Sequence, residues 1–435
     1  MLLENYFFYF QQLCICWFCY YLIVKICKQN NKFAYNYKRF FLYQMLSLYI
    51  HFPFCLSKCI YCDFGSKVIE QSVCNYDQFQ KDFLECCKRQ LYYFANKIEK
   101  IEPLNTIYFG GGTPSLLKVD IVNSLIHEVK NLFSIEDNCE ITLEANPTSF
   151  EFDKFKAFKQ AGINRISLGV QSLDNNNLSW LGRRHSAENA VKAIQEIKKI
   201  FQKWSFDLIY ALPKQTLKEW LKELEQALLL QPQHLSLYTL IVDENTPLGR
   251  MVKIGNVLPK TNDEQAEFYI ATNEYIKNNS KLKNYEVSNY AINGFESEHN
   301  LNYWRSVDYI GIGAGAHGRL KYKNCKNRIE IQNIFNYKDW RENILAKSMN
   351  GLECEKELTI KEQVEEILLM GLRTVKGIDM VDIENRFKII LREYLNIKKL
   401  EFYKNANFLN FDSNHISLNE NGLLILDSIL ADIII

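Results

Sequence analysis

Short apolar segments alternate with longer amphipathic segments from Met45 onward, and this alternation limits the fold more than any other feature of the chain. The short segments are predicted strands, at residues 47–51, 106–109, 140–144, 165–169, 205–209 and 234–239. The longer segments carry apolar residues at spacings of three and four, which predicts helices at 76–96, 119–133, 151–161, 187–203 and 217–230. Such repeats form right-handed βαβ units with a parallel sheet, so we expect an α/β fold built as an open or partial (β/α)6 barrel.

The rest of the chain, which has 435 residues in all, predicts further parts around this core. Residues 241–339 are mixed, with a helix at 263–277 and a loop-rich segment at 285–319. From residue 358 the pattern predicts helices at 361–372, 380–387, 391–400 and 420–434, and strands at 408–411 and 415–418. We expect an N-terminal extension (1–44), a core (45–240), a barrel extension (241–350) and a winged-helix-like α+β domain (351–435), whose favoured role is structural or partner docking.

The N-terminal extension contains a segment, residues 5–24, without any charged side chain. Its length is about that of a membrane span, roughly 20 residues. It could be a membrane anchor, or a signal peptide, although no small-residue cleavage site follows it. We favour a third interpretation, an extension outside the folded domain, because Met45 leads directly into the first predicted strand. A cytoplasmic protein is therefore expected, with membrane association through residues 5–24 as the alternative.

Charge and cysteine usage exclude two classes of protein. The chain carries 52 Lys and Arg against 51 Asp and Glu, so it lacks the basic excess of a nucleic-acid-binding protein. Its 13 cysteines are odd in number and unevenly spaced, unlike the disulfide framework of a small secreted domain. We expect reduced thiols in a cytosol and no nucleic-acid partner.

Three cysteines follow the first predicted strand with the spacing CX3CX2C, at Cys55, Cys59 and Cys62. Thiolates hold iron–sulfur clusters, and their ligands often lie close together in one loop. Three ligands leave one iron of a cubane open, and an open coordination position is where a substrate or cofactor binds. Zinc is a weaker alternative, because no nearby fourth ligand completes a tetrahedral site. The spacing predicts a [4Fe–4S] cluster.

Polar or glycine-rich motifs also follow the next four strands, at the edge where parallel barrels place their chemistry. Glycines let a backbone approach a ligand closely, carboxylates hold hydroxyl or cationic groups, and amide and guanidinium groups suit ribose hydroxyls and carboxylates. Each residue alone fits a structural role equally well. The candidates are Gly111, Gly112, Thr113, Glu144, Gln171, Arg183 and Asp207.

The cysteine loop, with Tyr61 between its last two cysteines, and the Gly-Gly-Gly-Thr-Pro loop at 110–114 resemble the radical S-adenosylmethionine (SAM) family. In that family the amino and carboxylate groups of SAM chelate the open iron, and an electron from the cluster cleaves the sulfonium to a 5′-deoxyadenosyl radical. The resemblance implies a radical SAM core and an electron donor such as a flavodoxin or ferredoxin. It implies SAM contacts from Tyr49, Tyr61, Gly111, Gly112, Thr113, Glu144, Gln171, Arg183 and Asp207.

Within that family, segments 48–55, 167–174, 181–185 and 207–213 and the C-terminal domain resemble the oxygen-independent coproporphyrinogen III oxidase group, also called HemN. This resemblance covers residues 46–434. The chain departs from the group at Ala211 and Lys214, where the family usually has glycine. We expect these departures to alter a turn without removing a ligand.

Two functions share this scaffold, and the residues after Cys62 distinguish them. The oxidase motif has a fourth cysteine, CX3CX2CXC, whereas here Asp63 and Phe64 follow, and Phe64 can neither bind metal nor relay a hydrogen atom. The HemW-type haem chaperones have CDF at this place, as this chain does. The expected function is therefore haem binding and transfer to an acceptor haemoprotein, by a chain that can form a homodimer. Coproporphyrinogen III decarboxylation, or another radical reaction, remains the alternative.

The chain also carries the HNxxYW motif of this subfamily, as the segment from His299 to Trp304. Imidazole is a common axial ligand of haem iron, and aromatic rings can pack against a porphyrin. The resemblance implies that His299, Tyr303 and Trp304 bind haem. His317, in the glycine-rich segment 311–318, is a second candidate ligand, although close backbone packing is the favoured role of that segment.

Overall fold

The computed structural model describes residues 45–63, 66–69, 76–98, 103–149 and 152–435. The uncharged segment 5–24 and Phe64 lie outside the described residues. The strands are β1 (Leu46–Phe52), β2 (Phe54–Cys55), β3 (Lys67–Val68), β4 (Leu104–Gly111), β5 (Ile135–Ala145), β6 (Arg165–Gln171), β7 (Lys203–Tyr210), β8 (His234–Thr239), β9 (Lys283–Glu286), β10 (Asn289–Ala291), β11 (Asp308–Ile312), β12 (His317–Lys321), β13 (Arg328–Asn333), β14 (Leu352–Glu357), β15 (Ile378–Asp379), β16 (Leu409–Phe411) and β17 (His415–Leu418).

The helices are α1 (Tyr76–Lys97), α2 (Val119–Leu132), α3 (Phe152–Gln160), α4 (Asn175–Leu181), α5 (Ala187–Ile200), α6 (Leu217–Leu229), α7 (Pro247–Lys253), α8 (Asn262–Asn279), α9 (Glu298–Trp304), α10 (Tyr337–Leu345), α11 (Ile360–Gly371), α12 (Met380–Phe387), α13 (Ile397–Asn405), α14 (Glu420–Leu424) and α15 (Leu426–Ile433). Short 3₁₀ turns occur at Pro114–Leu116, Pro147–Ser149 and Leu391–Tyr394. Across the described residues, no helix is both long enough and apolar enough to span a bilayer.

The six predicted core strands lie side by side in chain order, β1, β4, β5, β6, β7 and β8, and every neighbouring pair is parallel. This confirms the predicted α/β fold. The sheet continues beyond β1 through parallel β11 and antiparallel β12, β13 and β14, and beyond β8 through antiparallel β10 and β9. Because parallel strands end at one edge, the motifs that follow them are brought together there.

The apolar core lies between this sheet and the helices that cover its outer face. Phe83 and Leu91 of α1, Leu125 of α2 and Trp220 of α6 are fully buried against strand residues such as Leu48. Burial under helices suits a parallel sheet, since its strands lie between covered faces. The helices therefore fix the strands that carry the candidate site.

The segment 285–319, predicted to be loop-rich, contains β10, α9, β11 and the start of β12, so that prediction was wrong. Its elements are short, and glycines mask the strand pattern. A Cβ at Gly311 would lie only 1.8 Å from the carbonyl oxygen of His317, so β11 and β12 can approach only because this position is glycine. Close backbone packing, the favoured role of the glycine-rich segment 311–318, is what the structure shows.

Three predicted helices also need correction. The helix predicted at 187–203 ends at Ile200, and Lys203 already begins β7. The helix predicted at 391–400 is a 3₁₀ turn followed by α13, because the Asn396 side chain accepts a hydrogen bond from Lys399 N and starts a new helix. The last predicted helix, 420–434, is divided into α14 and α15 at Ile425.

The C-terminal part has its own small sheet, in the order β15, β17, β16, and its own apolar core. Strand β15 has only two residues and was not predicted. Arg319 of β12 forms an ion pair with Glu366 of α11 at 2.6 Å, and Arg386 of α12 donates to the carbonyl oxygen of Arg305 at 2.7 Å. These contacts join the C-terminal helices to the large sheet and to the end of α9.

Candidate functional site

The cysteine loop is held by its neighbours on two sides. Cys55 lies in β2, which pairs with β3, and the amide of Ile60 donates to the carbonyl oxygen of Leu181 at the end of α4. From the other side, the amide of Leu248 in α7 donates to the carbonyl oxygen of Ile60 at 2.8 Å. The loop thus has a fixed backbone position at the carboxyl end of β1.

Each of the three thiols has one hydrogen-bonding partner from a different segment. Thr113 Oγ1 donates to Cys55 Sγ at 3.4 Å, and Arg183 Nη1 donates to Cys59 Sγ at 3.3 Å. Cys62 Sγ is 3.5 Å from the Ser66 hydroxyl. Donors of this kind stabilise thiolates and are common around iron–sulfur clusters. All described cysteines are free thiols, so none of these three is used in a disulfide there.

Within the described ranges, no three His, Cys, Asp or Glu side chains converge closely enough to hold a single metal ion. A cubane presents its irons at separate corners, so three thiolates that bind different irons do not need to meet at one point. The CX3CX2C spacing in the sequence fits such a cluster, and so do the hydrogen bonds to the three sulfur atoms.

A cavity of about 440 Å³ opens beside the loop, at the carboxyl ends of the strands. It brings together almost all residues that the sequence predicted for the cluster and SAM: Cys55, Cys59, Tyr61, Cys62, Gly111, Gly112, Thr113, Glu144, Gln171, Arg183 and Asp207. Tyr49 is the exception. Its hydroxyl is hydrogen-bonded with His51 Nδ1 at 2.9 Å, and its ring stacks on Tyr108 behind the cavity wall.

The glycine loop packs against the cysteine segment. A Cβ at Gly112 would lie 2.5 Å from the carbonyl oxygen of Phe54, and the Gly112 and Thr113 amides donate to the carbonyl oxygens of Phe52 and Phe54. The Gly111 amide donates to Glu144 Oε2 at 3.1 Å. These three amides are therefore committed to hydrogen bonds within the protein. The three residues nonetheless line the cavity, and the Thr113 hydroxyl donates to Cys55 Sγ.

Two partly buried carboxyl groups, Glu144 and Asp207, line the cavity. Burial raises the pKa of Glu144 to about 7, although hydrogen bonds from Tyr108 and the Gly111 amide oppose this shift. Burial raises the pKa of Asp207 to about 6, opposed by hydrogen bonds from Ser236 and Ser167. Near neutral pH both groups can accept a hydrogen bond from a sugar hydroxyl, or carry a proton and donate one.

Arg183 is a partly buried cation next to the cysteine loop. Besides its bond to Cys59, its Nη2 donates to the carbonyl oxygen of Gly169 at 2.7 Å, while its Nε is buried without a hydrogen-bond partner. A buried N–H group without a partner is costly, and a ligand carboxylate in the cavity would satisfy it. Gln171 lies beside it with φ 73°, a left-handed backbone that is uncommon for a residue with a side chain. Both features suit a site that orients an amino-acid ligand.

The deep part of the cavity was missed from the sequence. It is lined by Arg165, His234, Ser236, Tyr238 and Asn300 together with other polar groups. A signal was available, because polar residues alternate along β6, β7 and β8 in strands that a covered parallel sheet would otherwise make continuously apolar. The interior of this barrel is therefore polar, and its His234 Nδ1 is buried without a partner.

Ala211, one of the two departures from the family pattern, has φ 58°. The chain keeps the left-handed turn that glycine would supply, so the expected alteration of this turn is not seen. The cost for a residue with a Cβ is about 1–2 kcal/mol. Ala211 is buried, and its packing offsets part of this cost.

His299 lies in α9, at the opposite end of the strands from the cysteine loop. The imidazole is 1% exposed, with Nδ1 2.8 Å from Thr106 Oγ1 and Nε2 2.8 Å from the Tyr303 hydroxyl. Its ring stacks on Tyr108 at 4.8 Å, and burial lowers its pKa to about 3. It is therefore neutral, and haem iron could reach Nε2 only if Tyr303 moved away.

The other residues of the motif fasten α9 to its surroundings. Tyr303 packs edge-on against Tyr309 at 4.7 Å, and the guanidinium of Arg373 lies 5.9 Å from the Trp304 ring. Asn302 donates to Ser47 Oγ at 2.8 Å, at the start of β1. The structure thus groups His299, Tyr303 and Trp304 on one helix without forming a shared face toward the cavity. The second candidate, His317, is exposed at the start of β12.

Comparisons with known proteins agree with this arrangement. Residues 49–227 match the model of the radical SAM superfamily, and residues 349–425 match the HemN C-terminal domain. The solved coproporphyrinogen III oxidase (HemN) from Escherichia coli superposes with a TM-score of 0.73 over 89% of both chains, at 20% identity. At this identity the match establishes the shared fold.

Curated relatives are more similar in sequence. The Heme chaperone HemW of Haemophilus influenzae is 40% identical over 279 residues, which cover 64% of this chain and 71% of that protein. HemW of Escherichia coli is 38% identical over 278 residues, with the same coverage. A mitochondrial radical S-adenosyl methionine domain-containing protein 1 from Danio rerio is 33% identical over 399 residues, 89% of this chain and 87% of its own length.

Proposed function

Because the chain belongs to the HemW-type family of the radical SAM superfamily, we propose that it is a haem chaperone, which binds haem and transfers it to an acceptor haemoprotein. The observation that carries this proposal is the similarity to proteins named Heme chaperone HemW, at 38–40% identity over 71% of their length. The sequence Asp63-Phe64 after Cys62, without the fourth cysteine of the oxidase, supports it.

Membership of the superfamily implies a [4Fe–4S] cluster and SAM, and we propose that Cys55, Cys59 and Cys62 hold the cluster. Such a cluster supplies an electron-transfer centre and an open iron at which the amino-acid end of SAM can bind. Arg183 Nε, which has no partner, would donate to the SAM carboxylate, and Gln171 would orient it. Glu144 and Asp207 lie deeper and would hold its ribose hydroxyls.

We also propose the remaining partners and the location. An electron donor such as a flavodoxin or ferredoxin would reduce the cluster, and a homodimer is the proposed assembly of a chain that passes haem on. The cytoplasm is the proposed compartment. Size-exclusion chromatography with light scattering, before and after haem loading, tests the dimer.

His299 is the proposed axial ligand of haem, and its bond to Tyr303 makes this proposal testable. Tyr303→Phe removes the hydroxyl that occupies Nε2, so it should leave haem affinity equal to or tighter than that of the wild type. His299→Ala should weaken haem binding at least tenfold in an absorbance titration. If His299→Ala keeps full affinity while His317→Ala loses it, the ligand assignment moves to His317.

The rival function is coproporphyrinogen III decarboxylation, and one anaerobic assay separates the two. The reconstituted protein is incubated with SAM, a reductant and coproporphyrinogen III, and in parallel with haem. The chaperone proposal expects stoichiometric haem retention and no protoporphyrinogen IX. Repeated turnover to protoporphyrinogen IX would overturn the proposal and establish an oxidase that works without a fourth cysteine.

A further inference from the structure

We propose that the surface around the cysteine loop is the docking site of an acidic one-electron carrier protein. We call this surface the basic rim and define it by Lys58, Lys67, Arg184, Arg250 and Lys253. The inference rests on the proposed cluster, and it adds where the electron enters and what charge its donor carries. One electron leaves the carrier and one electron is gained by the cluster.

The cations of the basic rim are placed by the same contacts that hold the loop. Lys58 lies within the loop, and Lys67 of β3 pairs with Phe54 next to Cys55. Arg184 follows Arg183, which donates to Cys59. Arg250 and Lys253 lie on α7, which is joined to the loop through the bond from Leu248 to Ile60. All five are exposed.

These charges are available to a partner. In the part of the chain that the structure describes, none of the five forms an ion pair, although many other lysines and arginines do. The described carboxylates of the same segments are Asp63, Asp243 and Glu244. Among the described residues of these segments, the five cations therefore outnumber the three carboxylates, on a chain whose total charge is only +1.

Two exposed apolar side chains lie beside Cys55. The side chains of Leu56 and Val68 are 46% and 44% exposed. Leu56 follows Cys55 in the sequence, and Val68 pairs with Cys55 between β2 and β3. A small apolar surface together with these charges suits a transient electron-transfer complex, in which charge complementarity speeds the encounter more than it strengthens the complex.

The location also suits electron transfer. Electron tunnelling weakens steeply with distance, so a donor must dock close to the cluster. Cys55 and Cys62 are partly exposed here, whereas Cys59 and the deep cavity are buried. A donor seated on Leu56 and Val68 would lie next to Cys55.

The test compares two triple charge reversals. Lys67→Glu, Arg250→Glu and Lys253→Glu change the basic rim. Lys277→Glu, Lys281→Glu and Lys283→Glu are the matched control, because these lysines line a separate groove beside the C-terminal sheet. Cluster-reconstituted proteins are mixed anaerobically with a reduced acidic flavodoxin, and the loss of cluster absorbance gives the second-order rate. Dithionite, which needs no docking site, is the parallel reductant.

The proposal expects the rim variant to react at least tenfold more slowly than wild type at low ionic strength, and the control variant to react at the wild-type rate. The wild-type rate should fall as salt is added, while dithionite reduces all three proteins equally. Equal flavodoxin rates in both variants would overturn the proposal and leave the rim to another partner, such as a haem acceptor or a second copy. Loss of iron and sulfide from every protein would instead contradict the cluster itself.

Discussion

The three thiols of the cysteine loop differ in what donates to them, and Arg183 is the donor that carries a charge. A guanidinium that donates to a cluster sulfur favours the more negative, reduced cluster. The sequence predicted Arg183 as a SAM-binding residue from its family position. Its contact with Cys59 could not be predicted, because it depends on the angle at which α4 ends beside the loop.

Replacing Arg183 should therefore lower the reduction potential of the cluster. Arg183→Met removes the N–H donor and the charge, while Arg183→Lys keeps the charge. We expect the Arg183 hydrogen bond to stabilise the reduced cluster over the oxidised cluster by about 1 kcal/mol, the order of one hydrogen bond. This free energy corresponds to roughly 40 mV for a one-electron couple. Potentiometric titration followed by electron paramagnetic resonance measures it, with exposed Arg184→Met as control. An unchanged potential in Arg183→Met would show that this donor does not act on the cluster.

His299 should make the folded apo-protein sensitive to acid. Its folded pKa is lowered from 6.5 to about 3 by burial, so below pH 6.5 the unfolded chain takes up a proton that the folded chain resists. The contribution of neutral His299 to the free energy of unfolding is fully present above pH 6.5. It is lost as the pH falls toward 3. His299→Gln cannot titrate, so its free energy of unfolding relative to wild type should rise by about 2 kcal/mol from pH 7 to pH 5.

Urea unfolding of both apo-proteins at pH 7 and pH 5 measures this difference, with the exposed His127→Gln as the matched control. If the free energy of unfolding differs between wild type and His299→Gln by the same amount at pH 7 and pH 5, His299 is not held neutral by burial.

Among the elements, α9 shows best what the sequence could and could not reveal. Its motif was recognised from the spacing of His299, Tyr303 and Trp304, but the segment was expected to be loop-rich. Seven residues give too little periodicity to predict a helix, and Ser297, whose side chain accepts a hydrogen bond from the Asn300 amide, is a weak signal on its own. The long helices of the core, in contrast, were predicted to within a few residues because their patterns repeat, whereas β5 begins at Ile135, ahead of the predicted start at residue 140.

The buried amide of Asn302 should stabilise α9 more than any exposed residue of that helix. It donates to Ser47 Oγ and to Asn105 Oδ1, which joins α9 to the starts of β1 and β4. Asn302→Ala removes a hydrogen-bond donor from Ser47 Oγ and Asn105 Oδ1, so we expect the free energy of unfolding to fall by about 1–3 kcal/mol. Asn300→Ala, on the same helix, is the matched control. Equal costs for the two variants in urea unfolding would refute the account of α9.

For the whole molecule, the sequence predicted the order of the parallel strands and the edge at which their motifs meet, because both follow from βαβ handedness. It did not predict that the sheet continues through β11 to β14 on one side and β9 and β10 on the other, since those strands pair over long separations in the chain. It also could not show that α9 and the cysteine loop lie at opposite ends of the strands. The cavity beside the cysteine loop nonetheless extends to α9, because Asn300 is one of its lining residues.

We expect one chain to carry both a three-cysteine cluster and a haem. Anaerobically reconstituted protein, with its iron and sulfide content determined, is titrated with haem and followed by absorbance. The account predicts that the Soret signal saturates at one haem per chain while the cluster content stays unchanged. A signal that rises without saturation, as for free haem, or haem binding only as the cluster is lost, would contradict it.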